Sequence, residues 1–174
     1  MKISIFIDGG YLGKLLQTKN KKISFQKLND ELSKDEFRVR TYYYTCMPYQ
    51  DTPPTSDQQR LFQKVDRFHH ALTKLPRFEI KLGRLQNVNG HYTQKGVDMQ
   101  LGVDLVQMSA RKLIDVAIII ASDSDFVYAI KQAKEAGVVT ILAYFPESNI
   151  NKSLVDEVDE VIYLDDPFLS KCEF

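Results

Sequence analysis

The stretch Asp115-Val-Ala-Ile-Ile-Ile-Ala-Ser-Asp-Ser-Asp-Phe126 limits the fold more than any other part of this chain. Six apolar residues, Val116 to Ala121, run together and stop at Ser122-Asp123-Ser124-Asp125. A short apolar run bounded by polar residues reads as a strand buried on both faces, and such strands belong to parallel sheets. In open α/β sheets, ligands bind outside the carboxyl ends of the strands. Asp123 and Asp125 therefore fall where this architecture places its chemistry.

The rest of the chain supplies the partners that such a strand needs. Lys2–Ile7 is a first strand ending on Asp8, followed by a tight turn at Gly9-Gly10 and a helix carrying Leu12, Leu15 and Leu16. Ser24 caps a second helix with Leu28 and Leu32. Phe37–Thr45 is a strand rich in β-formers, with two of Tyr42, Tyr43 and Tyr44 expected in the core. Met47–Ser56 reads as a lid-like, mobile loop, and Asp57–Leu75 as a long amphipathic helix. His69 and His70 on that helix match no metal-binding spacing. Phe78–Leu85 reads as a third strand, with a turn at Asn87–Gly90 and His91–Thr93 pairing back. A helix follows from Lys95-Gly96-Val97-Asp98 to about Leu113. Beyond the opening strand come a helix, Phe126–Ala136, closed by Gly137, and a strand, Val138–Ala143. Ser148–Val158 is a short helix, Val161–Leu164 a last strand, and the tail from Asp165 has no assigned role. Strands alternating with helices predict an α/β fold: one Rossmann-like, three-layer α/β/α domain over residues 1–174, with a mainly parallel central sheet.

Length fits one domain with a sizeable core. No apolar run is long enough to cross a bilayer and the start lacks a signal-peptide pattern, so a cytoplasmic location is expected. Cys46 and Cys172 are far apart in sequence, with no C-x-x-C spacing, and are expected to be reduced. Formal net charge is zero, but it is unevenly spread. Residues 1–95 hold 17 Lys and Arg against 9 Asp and Glu; residues 96–174 hold 6 against 14. A basic half beside an acidic half fits a polyanion led toward a metal-binding cluster. A solvated surface with no partner explains the charge equally well.

Asp8 and Asp123 end buried strands, Asp98 opens a helix, and Asp125 stands two residues past Asp123. If the first and fourth strands are neighbours, these four acids converge. Two carboxylates ~5 Å apart repel by roughly 3 kcal/mol at an effective dielectric of about 20. Such a set usually holds a cation, and all-oxygen ligands suit Mg²⁺ or Mn²⁺ over Zn²⁺. Capping competes with this reading: Ser122 and Asp125 could form a capping-box pair, and Asp98 could serve its own helix end. Asp8, read as preceding a glycine turn, is not explained that way. A phosphate loop at Gly9-Gly10 is disfavoured, because the G-x-G-x-x-G spacing is absent and Asp8 would repel pyrophosphate.

Three segments in order carry a resemblance: Ile5-Phe-Ile-Asp-Gly-Gly-Tyr-Leu12, Lys95-Gly-Val-Asp-Met-Gln-Leu-Gly-Val-Asp104 and Ala121-Ser-Asp-Ser-Asp-Phe126. Together they resemble the NYN domain, the LabA-like branch of the PIN-like nuclease superfamily. The resemblance implies a Rossmann-like sheet, an acidic Mg²⁺/Mn²⁺ pocket and metal-dependent ribonuclease activity on RNA, taken here as single-stranded. By position, Asp8, Asp98, Asp123 and Asp125 look like the family's metal-binding acids. Asp104 looks like its further recurring acid, and Ser122 and Ser124 like the small polar residues beside the last acids. Many PIN-like proteins carry Asn shortly after the first Asp, where this chain has Tyr11. Lys14, Lys19, Lys21, Lys22, Arg84 and Lys95 are candidates for phosphate contacts, against the alternative that each is simply solvated. The competing function is a non-catalytic PIN-like module that binds RNA or a protein partner. A haloacid-dehalogenase-type phosphohydrolase is disfavoured, since Gly10 stands where that class needs a second Asp. A homodimer or a regulatory partner is compatible with the sequence, which assigns no residues to either.

Overall fold

The computed structural model describes residues 1–174. The first half of the chain runs β1 (Lys2–Asp8), α1 (Gly9–Thr18), α2 (Phe25–Ser33), β2 (Phe37–Thr45), α3 (Ser56–Thr73) and β3 (Phe78–Leu82). A hairpin follows, β4 (Arg84–Val88) and β5 (His91–Lys95), and then α4 (Val97–Ala110). The second half runs β6 (Val116–Ile120), a 3₁₀ turn (Ser124–Phe126), α5 (Val127–Glu135), β7 (Val139–Tyr144), α6 (Lys152–Glu157), β8 (Glu160–Tyr163) and α7 (Asp166–Cys172). Six strands form one sheet in the order β3-β2-β1-β6-β7-β8, and every neighbouring pair is parallel. The hairpin stands apart as a two-stranded antiparallel ribbon.

Strand periodicity sorts the core into two layers. Ile3, Ile5 and Ile7 of β1 and Val116, Ile118 and Ile120 of β6 pack with residues of α1, α2, α3 and α7. Phe6, Ala117 and Ile119 point the other way, against α4, α5 and α6. Neither face of β1 or β6 meets water, which is why VAIII carries no polar residue. Of the three tyrosines on β2, Tyr43 and Tyr44 are buried and Tyr42 is half-buried. Cys46 and Cys172 are free thiols, both buried. No helix is long and apolar enough to cross a membrane.

Several sequence expectations are corrected. Gly9-Gly10 is no separate turn: Asp8 itself caps α1, and the two glycines are its first residues. Gly9 is needed because a Cβ there would lie 2.6 Å from Cζ of the buried Tyr43. Phe78–Leu85 is not one strand. It breaks at Gly83, where a Cβ would lie 2.6 Å from Val97 Cγ2, and the chain leaves the sheet to build the ribbon against α4. Helix α4 stops at Ala110 rather than Leu113, and Lys112 takes a positive φ of 54°. Helix α6 begins only at Lys152, because Asn151 caps it through the Ser153 N–H. The tail from Asp165 has a structural role. Asp165 caps α7, Leu169 and Cys172 are fully buried, and the Cys172 carbonyl accepts from the Ser24 N–H. The loop after β2 is anchored, not free: Gln58 bonds to Asp51 and Thr55, and Thr55 completes a capping box.

Candidate active site

Strand order decides where the acids meet. With the ribbon set aside, the sheet has the 3-2-1-4-5-6 order of a doubly wound fold, and its order reverses between β1 and β6. Ile7 pairs with Ile120, so the two strands end side by side. Asp8 and the Ser122–Asp125 turn therefore flank the crevice at the switch point. The ribbon returns the chain to this edge, and Gly96, at a φ of +87°, turns it into α4 with Asp98 in the first turn.

The crevice is a cavity of about 590 Å³. Its walls include Asp8, Asp98, Asp123, Ser122, Lys14 and Tyr11. Asp98, Asp123 and Asp125 each offer a carboxylate oxygen, and these oxygens lie within 4.8 Å of one another. Asp8 faces the same cavity from β1 but stands outside that tight triad.

Hydrogen bonds show which oxygens are already used. Asp8 Oδ1 accepts from the Tyr11 N–H at 3.2 Å. Asp123 Oδ1 accepts from the Asp125 N–H at 2.9 Å, so Asp123, not a Ser122–Asp125 pair, caps the 3₁₀ turn. Helix α4 has no side-chain cap, and the Asp98 carboxylate accepts no hydrogen bond from the protein. No Lys, Arg or His nitrogen comes within 4.0 Å of any of the four acids. The charges are therefore not neutralised by the chain itself. Burial, followed by the charges of Asp8, Asp123 and Asp125, pushes the Asp98 carboxyl up to about 6. Burial also raises Asp8, with Asp123 adding to it, against hydrogen bonds from the Tyr11 and Gly10 N–H groups that lower it.

Tyr11 closes one side of the crevice. The Phe145 N–H donates to the Tyr11 hydroxyl at 3.3 Å, and Tyr11 lies 2.7 Å from Ser148 Oγ. Ser148 gives its own proton to the Phe145 carbonyl, so the Tyr11 hydroxyl donates to Ser148. Its ring meets Phe145 edge-on, at 6.1 Å between centroids. One side chain thus ties α1 to the loop after β7. Tyr11→Phe strands the N–H of the fully buried Phe145, an expected loss of about 1–3 kcal/mol. The measurement is the urea midpoint at unchanged m-value; a wild-type midpoint would show that the loop holds without this bridge.

The other predicted residues divide. Lys14 lines the crevice. Lys19 pairs with Glu147 and Asp166, and Lys21 with Glu173, so both are engaged by the protein. Lys22 is exposed, and none of Lys19, Lys21 and Lys22 lines the crevice. Arg84 and Lys95 are cross-strand partners at the base of the ribbon, and neither lines the crevice. Asp104 lies elsewhere: it accepts from the buried Tyr44 hydroxyl at 2.8 Å and stands 3.9 Å from Lys81 Nζ. Ser122 lines the crevice; Ser124 does not. Sequence reasoning missed Gln94, Glu147, Ser148 and Asn149, all on its walls. Residues 147–149 follow β7, so the strand-end rule that found Asp123 would have found them. Gln94 carried no such signal, since it arrives on the ribbon.

A family model for the NYN domain matches residues 2–165. The chain belongs to the NYN domain family. NYN domains are part of the PIN-like nuclease superfamily. Among solved structures, a protein of unknown function from Vibrio parahaemolyticus is 19% identical, with 97% of this chain and 95% of that one aligned at a TM-score of 0.74. At that identity the likeness speaks for the fold of the NYN domain alone. Nicotinic acid mononucleotide adenylyltransferase from Plasmodium falciparum is 12% identical over 95% of this chain and 75% of that one. Its TM-score of 0.36 is too low to bear on the site. Among curated proteins, no sequence match is found.

Proposed function

We propose that this NYN domain, a single unit over residues 1–174 of the LabA-like branch, is a metal-dependent ribonuclease that hydrolyses single-stranded RNA. The observation that carries the reading is the uncompensated charge: Asp8, Asp98 and Asp123 line one crevice, Asp125 stands beside the last two but outside its lining, and no protein cation pairs with any of the four. Three carboxylates on exposed residues, with oxygens within 4.8 Å of one another, repel each other, and a counterion would relieve that repulsion. A binding module for a polyanion gains nothing from such a cluster, whereas a hydrolase does. The donor set is all oxygen, which fits Mg²⁺ or Mn²⁺. Asp98, Asp123 and Asp8 would hold the ion, with Asp125 direct or through water. A bound ion would supply Lewis acidity, making water a stronger nucleophile and offsetting charge on the phosphodiester.

The chain's own groups do the positioning. The two caps fix Asp8 and Asp123 while leaving each a second oxygen outside these bonds. Lys14 brings positive charge to the crevice wall, suited to a non-bridging phosphate oxygen. The amides of Gln94 and Asn149 can orient a water or a ribose hydroxyl. Asn149 supplies from the β7 loop the kind of group that Tyr11 does not. The test is cleavage of a fluorescently labelled single-stranded RNA in Mn²⁺ or Mg²⁺. Cleavage is expected with either ion and not with chelator; equal cleavage in chelator would overturn the metal-dependent reading.

A further inference from the structure

The crevice does not end at Gln94. The same side chain lines a second groove, of about 400 Å³, between the ribbon, the loop after β2 and α3. That volume lies within the range of about 300–1,000 Å³ usual for small-molecule sites. The groove is aromatic and open. Tyr49 and Tyr92 stack with centroids 3.6 Å apart and planes 22° from parallel. Tyr92 is 42% exposed, Leu61 50% and Phe68 40%. Phe68 meets the core rings of Phe25 and Tyr43 edge-on, but Tyr49, Tyr92 and Leu61 belong to neither core layer, so core packing does not account for those three.

Strand alternation orients the ribbon. Leu85 and Gln94 are cross-strand partners, and Tyr92 lies two residues from Gln94 on the same face, toward the groove. The opposite wall is α3, whose Leu61, Val65 and Phe68 line the groove. One residue before each of these is a cation: Arg60, Lys64 and Arg67. Lys64 and Arg67 are exposed and have no carboxylate within salt-bridge distance. An apolar aromatic floor beside a ridge of free cations, running into an acidic crevice, combines the features that hold an unpaired polynucleotide. A duplex hides its base faces and cannot use such a floor.

We propose that this groove is the track for single-stranded RNA, with bases laid against Tyr92 and Tyr49 and the backbone along Lys64 and Arg67. The inference rests on the reading that a phosphodiester enters the acidic crevice, and Gln94 is where the two sites join. Its test is binding, measured in chelator so that no cleavage occurs, by anisotropy of a fluorescein-labelled oligouridine. Tyr92→Ala is expected to weaken binding roughly five- to 150-fold, the range for losing one base–aromatic stack. Tyr92→Phe keeps the ring and should bind like wild type. Lys64→Gln with Arg67→Gln should flatten the slope of log affinity against log salt by about 0.7 for each phosphate no longer neutralised. These side chains are exposed, and matched thermal midpoints would show that the variants fold. Wild-type affinity in both Tyr92→Ala and the double variant, or no binding by the wild-type chain, overturns the proposal. The catalytic reading fails separately: RNA bound in a Tyr92-dependent way but never cleaved removes the nuclease and leaves the track. Metal-dependent cleavage with wild-type affinity in both Tyr92→Ala and the double variant removes the track and leaves the nuclease.

Discussion

Asp123→Asn and Asp8→Asn are each expected to slow RNA cleavage roughly 10²–10⁴-fold, the range that single electrostatic or proton-transfer groups supply. Both exchanges are nearly isosteric and remove one negative charge. Both should leave the fold intact, because asparagine is as good an N-cap as aspartate. The Tyr11 N–H would still find an oxygen at residue 8, and the Asp125 N–H one at residue 123. Activity and stability are therefore separable at these positions. A pure capping role predicts little change in either quantity for Asn, so the two readings differ in activity alone. Asp104→Asn is the contrast, since Asp104 faces Tyr44 and Lys81 and not the crevice. It should lower stability modestly and leave cleavage near the wild-type rate. Single-turnover rates for the three variants, beside their urea midpoints, decide the matter. Wild-type rates in both Asp8→Asn and Asp123→Asn would sink the assignment.

The sheet was legible because its central strands obey one physical rule. VAIII is wholly apolar and ISIFI nearly so, on both faces, which only a sheet covered on both sides accommodates. From that, parallel pairing and the placement of Asp123 and Asp8 at strand ends follow; that the two strands are neighbours comes from the strand order of the sheet. What escaped were features set by close approach instead of periodicity. Gly83 looks like one residue in an alternating strand, but the proximity of Val97 makes it the point where the chain leaves the sheet. Tyr11 reads as a substitution for an expected Asn; its bonds to Ser148 and Phe145 join positions more than 130 residues apart. Asp8 reads as unexplained by capping, because two glycines disguise a helix start. The basic residues were legible as charges but not as partners. Lys19 and Lys21 are spent on Glu147, Asp166 and Glu173, while Lys64 and Arg67 stay free. Charge counts along a sequence do not distinguish the two kinds.

Saturating Mn²⁺ is expected to raise the thermal midpoint of the wild-type chain by roughly 5–10 °C, and Asp98→Asn or Asp123→Asn should remove most of that rise. A ligand that binds only the native state at 100 times its Kd adds about 2.7 kcal/mol. For a chain of this size each kcal/mol is worth about 2–4 °C. Asp98 makes the effect depend on pH. Its carboxyl is held up to about 6, first by burial and then by the neighbouring acids. A carboxyl raised in the folded state keeps its proton there after the unfolded chain has released it. Its contribution to metal-free stability therefore falls as pH rises from the ordinary carboxylate range through about 6. A cation needs the ionised form, so the Mn²⁺-dependent rise should grow over that same window. The two slopes have opposite signs. Asp98→Asn should flatten both, after allowance for the first-turn charge it removes, worth about 0.3–1 kcal/mol. An aspartate that merely favours a helix start gives no Mn²⁺ term at any pH. Midpoints measured from pH 5 to 8, with and without Mn²⁺, separate the two roles, and a shift that is the same in wild type and Asp98→Asn would remove Asp98 from the ion's ligands.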